Sequence, residues 1–518
     1  MTTTDTNPVE ETSITSTPPN EAAGCGDGGM PNHLSPTTLD RWSCIVIRLL
    51  VAWIVIVAIL SFITVPWLKA GSGGDLTTPM VWFYHAMMLP VALLFLILCT
   101  RIFVVHPWVK FILTHSGPIA LLEGLGFLIL GYGTLHNVAS LTAFGYWIIM
   151  PCTLELFAIT VVFVADLAYA SFVPPKDVDV SPQMAEIRWA LFFAGVSVLT
   201  WVAFGLSAAA DQVGISWQFW AGWQKESYST LMGNIITAHS HGMLPAFMAG
   251  IVILAAETFG YSKLVGTRKQ VARLSVGIML GGIALFSGIY TVSALGTFAI
   301  PAWFPFGPGA VNGIAMDDTM TGLVGIGALI LAGTMLPELR GSLSRLGSRI
   351  QQRYNPVRAA VYLTYVTAAA ALFIYGYYIE MNESKFGFGS APAARYANDQ
   401  IFSRGHLLFV FGALPLMAVL LLAVEISGNV SELGITLKKW LSGAMASGMV
   451  ITLIGLGIWV FSAPGHSTTM GAGNAGEIIY VIGQCLMLIG AIIEVFALRP
   501  VGEDKTGPIS ASTEPALT

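Results

Sequence analysis

Residues 78–103 read TPMVWFYHAMMLPVALLFLILCTRIF, an almost unbroken apolar run with a single histidine, His85, near its start. A helix needs about 20 such residues to cross the hydrocarbon core of a bilayer, so this stretch is long enough to span. Working outward, comparable segments fall at 44–66, 80–104, 113–135, 142–170, 188–210 and 230–257, and again at 273–299, 319–337, 358–381, 401–427, 441–462 and 475–497. Gly, Pro and charge clusters separate them. In lipid every backbone polar group must be bonded internally, and the period-2 alternation is too poor for barrel strands, so the segments are expected to be helices. The chain therefore reads as an all-α integral membrane protein with about twelve spans.

Composition supports the same class. Of 518 residues 55% are hydrophobic and only 10% charged, with a mean hydropathy of +0.73, too little polar surface to cover a soluble globule. A net charge of -5 and a pI near 6.0 exclude an electrostatic nucleic-acid binder, which needs clustered Lys and Arg. Cys25, Cys44, Cys99, Cys152 and Cys485 form no CxxC, so no disulfide framework, zinc ribbon or covalent haem-attachment motif is legible. Residues 1–40, rich in Thr, Pro, Ser and Gly, read as a disordered tail without the apolar core of a signal peptide, and 500–518 as a second tail flanking a transmembrane domain at 41–499.

Charge sets the sidedness, because cytoplasmic loops collect Lys and Arg. With the N-terminus inside, nineteen of the 24 basic residues fall on the inner side and five, Lys69, Lys225, Lys385, Arg395 and Arg404, on the outer. Both termini are then cytoplasmic, and slipping one helix would destroy the asymmetry. The same directions place His85, His239, His241 and His406 near the starts of three spans that run from outside to inside. These four histidines share one depth near the outer face. The second, sixth and tenth spans each carry a His followed by apolar residues and a Pro (Pro90, Pro245, Pro415), a pattern that points to three four-helix blocks in pseudo-threefold arrangement. His33, His106, His115 and His466 lie in tails or loops, and His136 at the outer end of the third span.

Histidines inside a membrane are costly and are read as functional. Two of them on different helices at one depth can hold a haem iron from both faces; the alternative is that each merely bonds a neighbouring helix. His239 and His241 lie about 200° apart around a helix and cannot both face one ion without distortion, whereas His239 and Met243 share a face, which is either a soft pair suited to Cu(I) or simply packed. Glu123 and Glu155, embedded in the third and fourth spans, either relay protons or bond neighbouring helices.

The stretches TPMVWFYHAMMLPVALLF and RGHLLFVFGALPLM, on this span plan, resemble the catalytic subunit of the haem–copper oxidases, and most closely its nitric oxide reductase branch. The resemblance implies that His85 and His406 are the two axial ligands of a low-spin haem, of b type, in a respiratory oxidoreductase of a prokaryotic cytoplasmic membrane. It implies an electron-donor subunit or quinol as partner. The family hangs its high-spin haem from the position that is Arg404 here, and draws non-haem metal ligands from a seventh span that here contains no His. Arg404 is suited to a haem propionate, through the bidentate fork of a guanidinium on a carboxylate. The resemblance thus leads to a membrane electron-transfer protein with the low-spin haem ligands kept and the nitric oxide- or oxygen-reducing centre altered. A second metal, Cu or Fe, would keep only His239 or His241. A secondary transporter or channel using buried His and Glu, and a cofactor-free structural subunit, remain open from the residues alone.

Overall fold

The computed structural model describes residues 36–68, 77–175, 182–218, 227–294, 314–344, 356–379, 413–426, 432–462 and 475–498. Its helices are α1 (Pro36–Leu68), α2 (Thr77–Ile102), α3 (Pro107–His115), α4 (Gly117–Leu135), α5 (Ala139–Phe172), α6 (Pro182–Gln212), α7 (Tyr228–Thr258), α8 (Gly266–Ala294), α9 (Ile314–Ser344), α10 (Pro356–Phe373), α11 (Leu414–Ile426), α12 (Glu432–Ser462) and α13 (Ala475–Ala497). A π-helical turn, Ile374–Ile379, extends α10. Among the described residues there is no strand, and eight stretches are long and apolar enough to cross a membrane. They lie on α1, α2, α3 with α4, α5, α6, α9, α12 and α13. The segments expected at 230–257, 358–381 and 401–427 fall on α7, on α10 with its π-helical turn, and on α11, whose apolar stretches among the described residues are Gly242–Thr258, Ala359–Phe373 and Leu414–Ile426.

The third expected span is not one straight helix. α3 ends at His115 and α4 starts at Gly117, with Ser116 between them donating its N–H to the Ile112 carbonyl. Pro118, which has no N–H to give, sits at the first turn of α4, where that donor would be unsatisfied anyway.

Consecutive helices pack as neighbours, and α11 lies in the middle, against α2, α7, α10, α12 and α13. Every residue from Leu414 to Val424 is buried, as expected of a helix hydrophobic all round. Close approach elsewhere relies on glycine. A Cβ on Gly145 would lie 2.8 Å from Leu130, and one on Gly448 2.7 Å from the Gly483 carbonyl, so α4–α5 and α12–α13 meet backbone to backbone.

Two polar clasps hold one end of the bundle. In the first, the Asp166 carboxylate accepts from the His106 ring Nδ1 at 2.6 Å and from the His106 backbone N–H at 2.9 Å. The wholly buried Arg188 donates to the Leu167 and Ala170 carbonyls at the C-terminal end of α5, where a cation suits the helix dipole. In the second, Glu186 accepts from the Tyr261 hydroxyl at 2.6 Å and from Arg273 at 2.9 and 3.0 Å, with Lys269 Nζ 3.7 Å away. Lys269 also sits 3.8 Å over the Tyr261 ring. Burial draws the Lys269 ammonium below its ordinary pKa, and the Glu186 charge opposes that shift. Glu186→Ala, which strips all three partners, is expected to lower the thermal midpoint of detergent-solubilised protein more than Arg273→Ala, which removes only the most exposed of them. Parallel melts of the two variants check this.

Candidate functional site

His85 lies eight residues into α2 and His239 eleven into α7, and these two helices bring their rings together with centroids 6.0 Å apart and planes 21° from parallel. Each ring is held from behind. His85 Nδ1 is 2.7 Å from the Val81 carbonyl, one turn earlier on its own helix, and His239 Nδ1 is 2.9 Å from the Trp201 carbonyl on α6. A carbonyl can only accept, so both Nδ1 atoms are assigned the proton. Both Nε2 lone pairs are then left as potential metal ligands. Such a carbonyl anchor is the usual support behind a metal-ligating imidazole. Phe127 stacks on the His85 ring at 5.2 Å, and Trp82 and Tyr84 approach it at 5.9 and 6.0 Å.

Both histidines line a cavity of about 700 Å³ among α2, α4, α5, α6 and α7, a size typical of cofactor pockets. Glycines set the back wall. A Cβ on Gly205 would lie 2.5 Å from the His239 ring, and one on Gly242 would lie 2.4 Å from the Trp201 indole, whose own residue supplies the carbonyl for His239. Met88 and Met243 also face the cavity. Thr153 lines it too, and its hydroxyl donates to the buried carboxyl of Glu123, so Glu123 stands one hydrogen bond behind the wall. The other Glu123 oxygen has no partner among the described residues.

The remaining site expectations fall elsewhere. Arg404 and His406 lie outside the described residues; α11, the described part of their span, begins eight residues after His406. For His241 only the backbone on α7 is described. His136 caps the end of α4 and is exposed, with its ring 4.3 Å from Tyr132. Glu155 is exposed on α5. Among the described residues no group of three or more His, Cys, Asp or Glu is placed to hold a metal ion. Gly205, Trp201, Phe127 and Thr153 carry no local sequence signal of a role here, because each acts through a helix distant in sequence.

The chain matches no family model, no curated protein and no solved structure.

Proposed function

We propose that this is a haem-binding membrane electron-transfer protein, with His85 as one axial ligand. The observation that carries this reading is the His85–His239 pair: two imidazoles from different helices, 6.0 Å apart in an apolar cavity, each with Nδ1 tied to a backbone carbonyl and Nε2 left available. Neutral imidazole is a standard haem ligand, so the donor set fits the group: His85 and His239 would hold a haem through Nε2, and it would supply a one-electron couple. The chain's own part is to orient the two imidazoles, to present Leu, Phe and Met walls that keep water from the iron, and to place Glu123 behind Thr153.

Geometry pairs His85 with His239, whereas the resemblance to the haem–copper oxidases pairs His85 with His406 and sets Arg404 on a propionate. Both pairings belong to the proposal, and the first is preferred because its two rings are in place. The proposal also retains about twelve spans in three blocks, cytoplasmic termini in a prokaryotic cytoplasmic membrane, and a quinol or donor subunit as the electron source. It stops at electron transfer, since Arg404 replaces the family's high-spin ligand and the seventh span lacks His. A soft second metal at His239 and Met243 would compete with haem for the same ring.

Reduced-minus-oxidised spectra of purified wild type, His85→Ala, His239→Ala and His406→Ala test this. Haem bands in the wild type that vanish in His85→Ala and His239→Ala are expected. Bands lost in His406→Ala but kept in His239→Ala would transfer the second ligand to His406. A wild type without bands would overturn the reading and leave the transporter and the structural subunit as the surviving alternatives.

A further inference from the structure

Glu155 faces outward from the middle of a membrane-crossing helix. It is the seventeenth of the 34 residues of α5 and is exposed, while Thr153, Leu156 and Phe157 on the other side of the helix line the cavity. At 1.5 Å per residue about 24 Å of helix lies on either side of it, and a bilayer's hydrocarbon core is only about 30 Å thick. α5 would have to slide by about ten residues before Glu155 reached a boundary, and a Glu side chain is too short to snorkel that far. Among the described residues no hydrogen bond reaches its carboxyl. The exposed residues around it, Pro151, Leu154 and Ala158, offer no side-chain donor. A carboxyl set against hydrocarbon has neither water nor a partner, so this side of α5 requires a cover that can hydrogen-bond.

The pattern around Glu155 indicates which cover. Pro151, Glu155, Ala158, Val162 and Ala165 follow one another by steps of four and three, the spacing that keeps one seam of a helix toward a partner helix. Four of the five are exposed and Val162 is half-buried. Ala158 and Ala165 are small enough to let a second backbone come close. In a parallel pair related by a two-fold axis along the membrane normal, like positions meet like at one depth. Glu155 then meets the partner's Glu155. Two carboxyls side by side share a hydrogen, one donating and the other accepting, and this is the bond that a single chain does not offer. A different subunit would need a polar group placed independently at this depth, whereas a second copy brings one by symmetry.

We propose that the protein forms a two-fold dimer through this side of α5, with the two Glu155 carboxyls hydrogen-bonded to each other near mid-membrane. The inference goes beyond the haem reading and does not rest on it, because the seam lies on the side of α5 turned away from the cavity.

The test uses the full-length protein in two settings. Native membranes are oxidised with Ala158→Cys, on the seam, and with Ile454→Cys, which is 53% exposed on α12, a helix remote from α5, with wild type as the background. The mass of the purified protein in detergent is then followed by light scattering over a dilution series. A disulfide-linked dimer with Ala158→Cys and none with Ile454→Cys is expected. The dimer dissociation constant should rise about five- to thirtyfold in Glu155→Ala, the range of one interhelical hydrogen bond in a membrane, and stay near wild type in Glu155→Gln, which keeps a donor and an acceptor. Ala158→Phe, which blocks the approach of the second helix, should be monomeric. A wild type that is monomeric in detergent and gives no Ala158→Cys dimer in the membrane overturns the proposal. So does a dimer whose dissociation Glu155→Ala leaves unchanged, or one linked through Ile454→Cys instead. A different polypeptide linked to Ala158→Cys in place of a second copy also overturns it and assigns this side of α5 to another subunit. Cross-linking in the membrane decides if the two settings disagree or if Glu155→Ala misfolds.

Discussion

If the protein binds haem as proposed, Gly205→Val is expected to remove most of it while leaving the protein folded. Position 205 lies on α6 directly behind the His239 ring, and the first carbon of any side chain there would fall 2.5 Å from that ring. α6 is a packed helix and cannot withdraw, so the imidazole must swing away. In doing so it loses the 2.9 Å bond from Nδ1 to the Trp201 carbonyl that aims Nε2 into the cavity. Losing a supporting contact behind a metal-ligating His costs about 10–100-fold in affinity, and here ring position is lost as well. Haem per polypeptide should therefore fall at least roughly tenfold in the pyridine haemochrome assay, with an unchanged elution volume on size exclusion. Gly233→Ala, on α7 with nothing within 4 Å of the new carbon, is the matched control and should keep its haem. A fully loaded Gly205→Val protein would show that His239 has no part in holding the pigment.

Asp166→Ala is expected to cost about 3–5 kcal/mol, the range for breaking a buried charge cluster by deleting one member. The carboxylate is 1% exposed, holds both the ring and the backbone N–H of His106, and lies within electrostatic reach of the wholly buried Arg188. Removing it leaves the His106 N–H, just before α3, without its acceptor and the Arg188 guanidinium without a nearby negative charge. Asp166→Asn, which keeps an acceptor but not the charge, should fall between wild type and alanine. Unfolding of the three proteins in mixed micelles gives the comparison, and an Asp166→Ala midpoint equal to that of wild type would refute the argument.

How far the sequence leads is clear from these residues. Long apolar runs make the helices legible, and the place of each histidine near the start of its run leads to the expectation that His85 and His239 share one depth; the two rings do meet. Rise per residue says nothing about which helices stand side by side or how each is rotated. The pairing of those two rings, and the carbonyl of Trp201 behind one of them, are therefore not legible in the sequence. His106 looks like an idle loop residue there because its partner is 60 positions away. Gly205 looks like any other glycine in an apolar run. The break at Ser116 is masked by apolar character on both sides, although Pro118 offers a hint.

The enclosure of α11 bears on how the chain is made. Three of its five neighbours, α2, α7 and α10, precede it in the chain, while α12 and α13 follow. When α11 leaves the ribosome, two of its five neighbours do not yet exist, and lipid must stand in for them. Its Leu-rich surface, LPLMAVLLLAV, suits both environments. Synthesis interrupted before α12 would leave a well-inserted but unfinished bundle, with its innermost helix facing the bilayer and open to quality-control proteases of the membrane.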